Sequence, residues 1–99
     1  MSDGDAEAQR IGFVVHGRVQ GVAFRASCQR AAARLGVTGH VRNLPDRTVS
    51  GEAQAPADRL EEFVAWLHHG PAFARVDRVE TTPLEPVSAA DAEGFEILR

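Results

Sequence analysis

The sequence predicts an α+β sandwich: an antiparallel sheet with two helices on one of its faces and a short fifth strand. Three observations carry this. Short β-rich runs and two stretches of helical period succeed one another as β-α-β-β-α-β. Each helical stretch bears one apolar stripe, and glycine or proline marks most junctions. At 99 residues there is room for one such domain, because a second core would leave neither half enough apolar surface to bury.

The elements follow in order. "RIGFVVHG" (10–17) is apolar, β-rich and ended by glycine, as a first strand should be. From Ala23 to Leu35 the residues Phe24, Cys28, Ala31 and Leu35 recur at the period of one helix face, and Gly36 stands at the C-cap. "VTGHVRN" (37–43) is the next strand. "LPDR" (44–47) then turns the chain into "TVSGEAQA" (48–55), where small or apolar residues alternate with polar ones. Pro56 suits the first turn of a second helix, with Asp58 near its positive end. Leu60, Phe63, Val64 and Leu67 form its stripe; His68 and His69 fall in its last turn, and Gly70-Pro71 stops it. "ARVDRVETT" (74–82) is a fourth strand, 83–94 a polar connection, and "FEILR" (95–99) alternates again. This order is the split βαβ, or ferredoxin-like, arrangement. In it the first two strands run the same way with one strand between them, about 10 Å apart at ~4.8 Å per strand, so the loop after Gly17 and the strand end at Asn43 meet at one edge.

Composition narrows the function. Residues 1–10, "MSDGDAEAQR", hold acids and no apolar run; they are expected to be a disordered tail before a domain at 11–99, not a signal or membrane segment, and a cytoplasmic location is expected. A single cysteine allows no internal disulfide and no four-ligand zinc site; no metal and no cofactor is expected. Net charge is −3, which disfavours a broad nucleic-acid footprint, so anion binding should be local. All eleven basic residues are arginine, which excludes Schiff-base lysine chemistry and a P-loop lysine.

One stretch stands out: "GRVQGVAFR", Gly17 to Arg25. A helix N-terminus leaves its first N–H groups unpartnered and favours negative charge. Gly17 and Gly21 let the backbone of Gly17, Arg18, Val19, Gln20, Gly21 and Val22 turn N–H groups inward as a nest. Arg25 adds a planar two-pronged grip, and its charge, unfavourable against the helix dipole, asks for a bound anion. On the residues alone two readings stand side by side, a phosphate cradle and a tight turn with a solvated arginine.

"GRVQGVAFR" together with "GHVRNLPDRTV" (39–49) resembles the two signatures of the acylphosphatase family, G-R-V-Q-G-V-x-F-R and a glycine, an aromatic, V-R-N and a turn; the likeness runs from about Ile11 to the end. The resemblance implies a metal-free hydrolase that splits acyl phosphates into a carboxylate and inorganic phosphate. Matched position by position, it makes Arg25 the phosphate-binding arginine, the loop 17–22 the donor of backbone N–H groups, and Asn43 the residue that positions the attacking water. Expected partners are small acyl phosphates, with inorganic phosphate as product and inhibitor. No nucleic acid or membrane is expected, and the protein should be a monomer. The alternative is a non-catalytic ferredoxin-like module that holds a small anion. Three positions are set against the family pattern, of which Ala23, at the loop's variable position, is unremarkable. His40 replaces an aromatic, and packing is its expected role. Arg47 replaces a turn glycine, at ~1–2 kcal/mol if the turn still needs positive φ.

Other features read as structural. "CQRAAAR" (28–34) fits the C-x5-R string of cysteine phosphatases, but alanine-rich helix is no anion loop, and Cys28 sits on the apolar stripe. His68 and His69 are adjacent, hence not an i, i+4 metal pair; Glu61 and Glu62 belong to a solvated face; Trp66 and Phe73 are expected to pack the second helix.

Overall fold

The computed structural model describes residues 7–89 and 91–99. Among these residues seven elements follow one another: β1 (Ala8–Arg18), α1 (Phe24–Leu35), β2 (Thr38–Asn43), β3 (Val49–Pro56), α2 (Ala57–His69), β4 (Arg75–Leu84) and β5 (Phe95–Ile97). The sheet order is β4-β1-β3-β2-β5, with the helices packed on each other and on the sheet, the ferredoxin-like arrangement expected. β3 lies between β1 and β2 and is antiparallel to both, so the ends of β1 and β2 share an edge.

β1 is longer at both ends than its apolar run. It begins at Ala8 rather than Arg10, because Ala8 and Gln9 pair with Pro56 and Ala55. Arg10 is held there by Glu52 Oε1, to which its Nη2 donates at 2.6 Å, and by Gln54. Of the expected 1–10 tail, residues 1–6 lie outside the described residues. At the other end Arg18, read as loop, stays in the strand with Gly17, read as the strand's end: after a bulge between His16 and Gly17 the two pair with Arg75 and Val76 of β4. Pro56 closes β3 and is the N-cap of α2, one position before its expected place in the first helical turn.

The sheet is mixed rather than wholly antiparallel, since β5 runs parallel to β2. The chain leaves β4, and β5 enters beside the outer edge of β2 in the opposite direction to β4. The side chain of Gln54, only 4% exposed, acts as a strand edge for that connection: its Nε2 donates to Val87 O at 2.8 Å and its Oε1 accepts from Val87 N at 2.9 Å. Gln29 Nε2 on α1 then donates to Phe95 O at 2.9 Å and seats β5.

The core lies between helices and sheet. Phe63 of α2 is fully buried, edge-on to Phe13 of β1 at 5.9 Å and 5.6 Å from Phe95 of β5, so one ring ties three elements. Burial of such a side chain is worth about 1.5–3 kcal/mol, and each aromatic pair a further ~0.5–1.5. Trp66 packs at 5.4 Å on Phe24, at the start of α1. Phe73 does not pack as expected: it follows the turn that ends α2 and is 84% exposed, because the stop at Gly70-Pro71 carries it past the helix.

Candidate active site

Between β1 and α1 the chain is pinned at both ends. Val19 and Phe24 are buried and Val22 packs half-buried on the core, so these side chains leave the intervening backbone at the surface. The two glycines serve different needs. At Gly17, with φ 133°, a Cβ would collide with the carbonyl of Arg75, so glycine lets β4 come close. At Gly21, with φ 77°, a Cβ would meet nothing within 4 Å, and the conformation alone asks for glycine.

Ala23 was unremarkable in the sequence, yet it is the left-handed N-cap of α1, at φ 60° and ψ 30°. That conformation costs a residue with a Cβ about 1–2 kcal/mol, and such strain collects at functional sites. Among the described residues no side chain caps α1, and no acid stands in its first turn. Its first backbone bond runs from Ser27 N to Ala23 O, so the N–H groups of Phe24, Arg25 and Ala26 have no helical acceptor. These three residues line a pocket of about 190 Å³ with Val19, Gly21, Ala23, Asn43 and Ile97.

Asn43 comes to that pocket as the last residue of β2. The turn after it is closed by Leu44 N donating to Thr48 O at 2.9 Å and Arg47 N donating to Leu44 O at 3.0 Å. Arg47 sits at φ 75°, so the positive φ served by the family's glycine persists with arginine in place. Asp46 braces the turn, accepting from Thr48 Oγ1 at 2.6 Å and Thr48 N at 3.0 Å. These bonds, the hydroxyl first, hold its carboxyl below the usual carboxylate range. His40 lies half-buried in β2 opposite Glu52 and does not reach the pocket.

Loop and turn are joined by Gln20. Its Nε2 donates to Leu44 O and to Thr48 O, each at 2.9 Å. Nothing in the sequence marks this, since contacts between residues more than twenty positions apart leave no local signal. Ile97 was missed for a similar reason: it reaches the site because β5 docks beside β2, where Leu98 N donates to Val41 O at 2.8 Å.

Of the residues singled out in sequence, Arg25, Asn43, Val19 and Gly21 line one pocket. Gly17, Arg18 and Gln20 line a separate surface hollow on the other flank of the loop, while Val22 turns to the core. Among the described residues the side chains of Arg25 and Asn43 have no hydrogen-bond partner within the protein, so both are available to a ligand. Cys28 is fully buried in α1, where burial pushes its thiol up to about 12. Among the described residues no three His, Cys, Asp or Glu side chains cluster as a metal site would need, and no helix is long and apolar enough to cross a membrane.

Fold and site together define a small ferredoxin-like domain in which a strand–loop–helix turn, an arginine and a strand-end asparagine face one pocket. The family model for acylphosphatases matches residues 11–97. An acylphosphatase of Thermococcus kodakarensis is 48% identical over 84 residues, 85% of this chain and 89% of that protein. One from an Azoarcus species is 43% identical over 98 residues, 99% and 97% of the two chains. Among solved structures, an acylphosphatase from Coxiella burnetii superposes with a TM-score of 0.88 at 31% identity, covering 99% of this chain and 100% of that one. The chain belongs to the acylphosphatase family and is a hydrolase of that type.

Proposed function

We propose that this chain hydrolyses the carboxyl–phosphate bond of small acyl phosphates, with the phosphoryl group held by Arg25 and the N–H groups at the start of α1 and the water oriented by Asn43. The observation that carries the reading is that Arg25, the unpartnered first turn of α1 and Asn43 line one pocket although eighteen positions separate the two side chains. A guanidinium and uncapped helical N–H groups suit phosphoryl oxygens, which carry negative charge throughout the transfer while the electron pair of the breaking bond leaves with the carboxylate.

An acyl phosphate is a mixed anhydride with a carboxylate leaving group, so it needs neither a strong general acid nor a covalent nucleophile; positioning and charge stabilisation suffice. The Asn43 carboxamide takes up no proton near neutral pH. It orients water through its C=O and NH₂, and the water's proton passes to a phosphoryl oxygen of the substrate. The products are a carboxylate and inorganic phosphate. Because phosphate fits the same cradle, it inhibits competitively. The pocket, at about 190 Å³, is smaller than the ~300–1,000 Å³ that encloses a drug-sized ligand. The acyl group therefore extends outside it, and differences in apolar acyl shape should be tolerated.

The test is steady-state hydrolysis of benzoyl phosphate with inorganic phosphate as inhibitor. Turnover with competitive inhibition is expected. Saturable phosphate binding without turnover would instead leave a small-anion-binding module.

A further inference from the structure

The other flank of the loop gathers positive charge that the proposed reaction does not use. Beyond the bulge at His16 and Gly17, Arg18 of β1 stands directly opposite Arg75 of β4, a cross-strand pair of like charges that repel. Arg47 joins them from the β2–β3 turn in a backbone conformation that favours glycine. The three arginines line a surface pocket of about 460 Å³ with Gly17, Gln20 and Asp77. Asp77 is engaged by Arg75, whose Nε donates to its Oδ1 at 3.2 Å; among the described residues Arg18 and Arg47 have no carboxylate within ion-pair distance. Three guanidinium groups against one carboxylate leave an excess of two positive charges, in a chain whose net charge is −3.

We propose that this pocket is a second anion site that takes a phosphoryl group of a small molecule. A phosphoryl dianion matches the excess charge, relieves the repulsion between Arg18 and Arg75, and offers oxygens to planar donor forks, which arginine provides and lysine does not. Val19 lines both this pocket and that of Arg25 and Asn43, so the two sites lie on opposite flanks of one loop. The phosphoryl group has two possible sources: a second phosphoryl on the acyl chain of the substrate, or a separate phosphorylated molecule.

The site is tested first without reference to the reaction. The full chain carrying Arg25→Ala is titrated with inorganic phosphate while the arginine Nε–Hε resonances are followed by NMR. Saturable shifts are expected at Arg18, Arg47 and Arg75 but not at Arg34 or Arg59. Affinity should weaken about tenfold or more when Arg47→Gln and Arg75→Gln are added. No saturation, or shifts shared by Arg34 and Arg59, overturns the proposal. If Arg47→Gln fails to fold, Arg47→Gly, which suits the left-handed backbone, takes its place.

The second arm compares kcat/KM for acetyl phosphate and for an acyl phosphate bearing a second phosphoryl group, with Arg25 intact. A fall of about tenfold in the Arg47→Gln/Arg75→Gln protein, confined to the bisphosphorylated substrate, assigns the site to the substrate's distal end. Unchanged kcat/KM for both, with phosphate binding lost in the first arm, assigns it to a separate molecule. An equal fall on both substrates overturns a distinct site, because the arginines would then be acting on the phosphoryl group common to both.

Discussion

Gln20 and Leu44 are joined by a 2.9 Å hydrogen bond from the Gln20 amide to the Leu44 carbonyl, and the other hydrogen of the same amide goes to Thr48 O. One side chain thus fastens the loop that leads to Arg25 onto the turn that follows Asn43. Gln20→Glu removes both donors with little change in shape and places a carboxylate against two carbonyl oxygens. We expect kcat for benzoyl phosphate to fall about tenfold or more at neutral pH, with partial recovery as the new carboxyl is protonated and regains one donor. A pH–rate comparison with the unmodified chain checks this, and a loss with no pH dependence would point to general damage to the fold.

Arg25 and Asn43 should be separable from the fold, because neither side chain is hydrogen-bonded within the protein among the described residues. Arg25→Ala and Asn43→Ala are each expected to lower kcat/KM by about 10²–10³ while leaving the thermal midpoint nearly unchanged. Arg25→Lys should also fail, since an ammonium lacks the planar fork. The two differ in ground-state binding: inorganic phosphate should bind the Asn43 variant much as before and the Arg25 variant poorly. Inhibition constants measured alongside melting curves would establish the split.

Ala23 carries strain that glycine would relieve. Ala23→Gly is expected to stabilise the protein by about 1 kcal/mol at φ 60°, although glycine adds conformational freedom to the unfolded chain. For a domain of this size that corresponds to a rise of roughly 4–8 °C in Tm. Gly17→Ala should do the opposite and fail to fold well, since its Cβ would strike the Arg75 carbonyl. Calorimetry on the two variants checks both signs, and a drop in kcat with the Ala23→Gly gain would link the strain to catalysis.

Acid sensitivity should arise in part at the turn after Asn43. Asp46 has its carboxyl held low by the hydroxyl and backbone N–H of Thr48. A carboxylate depressed in the folded state adds stability above its unfolded pKa, and that stability is lost as pH falls through the folded value. Thr48→Val removes the larger cause, so Asp46 should titrate closer to an ordinary aspartate and unfolding should begin at a less acidic pH. NMR titration of the Asp46 side chain with an acid-unfolding curve would show both shifts. An unmoved Asp46 titration would remove the hydroxyl as the cause.

How much of this could be read from the sequence differs by element. Both helices carry apolar stripes at helical spacing, and their C-caps at Gly36 and Gly70 fell where expected, because those signals are local. β1 ran longer than its apolar run because pairing with Pro56, Ala55, Val76 and Arg75 is decided by the neighbouring strands. The direction of β5 was hidden for the same reason: the grip of Gln54 on Val87 steers the chain back toward β2 and is visible only in three dimensions. That Arg25 and Asn43 would come to one pocket was legible through motif and topology together. The clamp by Gln20 and the left-handed Ala23 were not, since neither residue type announces the role it has here.

Cys28 offers a last test, which separates a packing role from a chemical one. Its thiol is fully buried on the core face of α1 and pushed up to about 12 by the loss of solvation. A neutral thiol at working pH is neither a nucleophile nor a ready target of alkylation. We expect iodoacetamide to modify the folded protein far more slowly than the unfolded one, and Cys28→Ala to keep kcat while losing about 1 kcal/mol through the small cavity left behind. The pH sign follows from the direction of the shift. The folded state keeps its proton between the unfolded value of 9.0 and about 12, so the unfolded state releases more protons and stability falls as pH rises through that window. Cys28→Ala should flatten that alkaline limb in a denaturation series run upward from pH 8. A limb of unchanged slope would assign the alkaline loss to other groups, and a kcat that fell with Cys28→Ala would mean the buried sulfur does more than fill space.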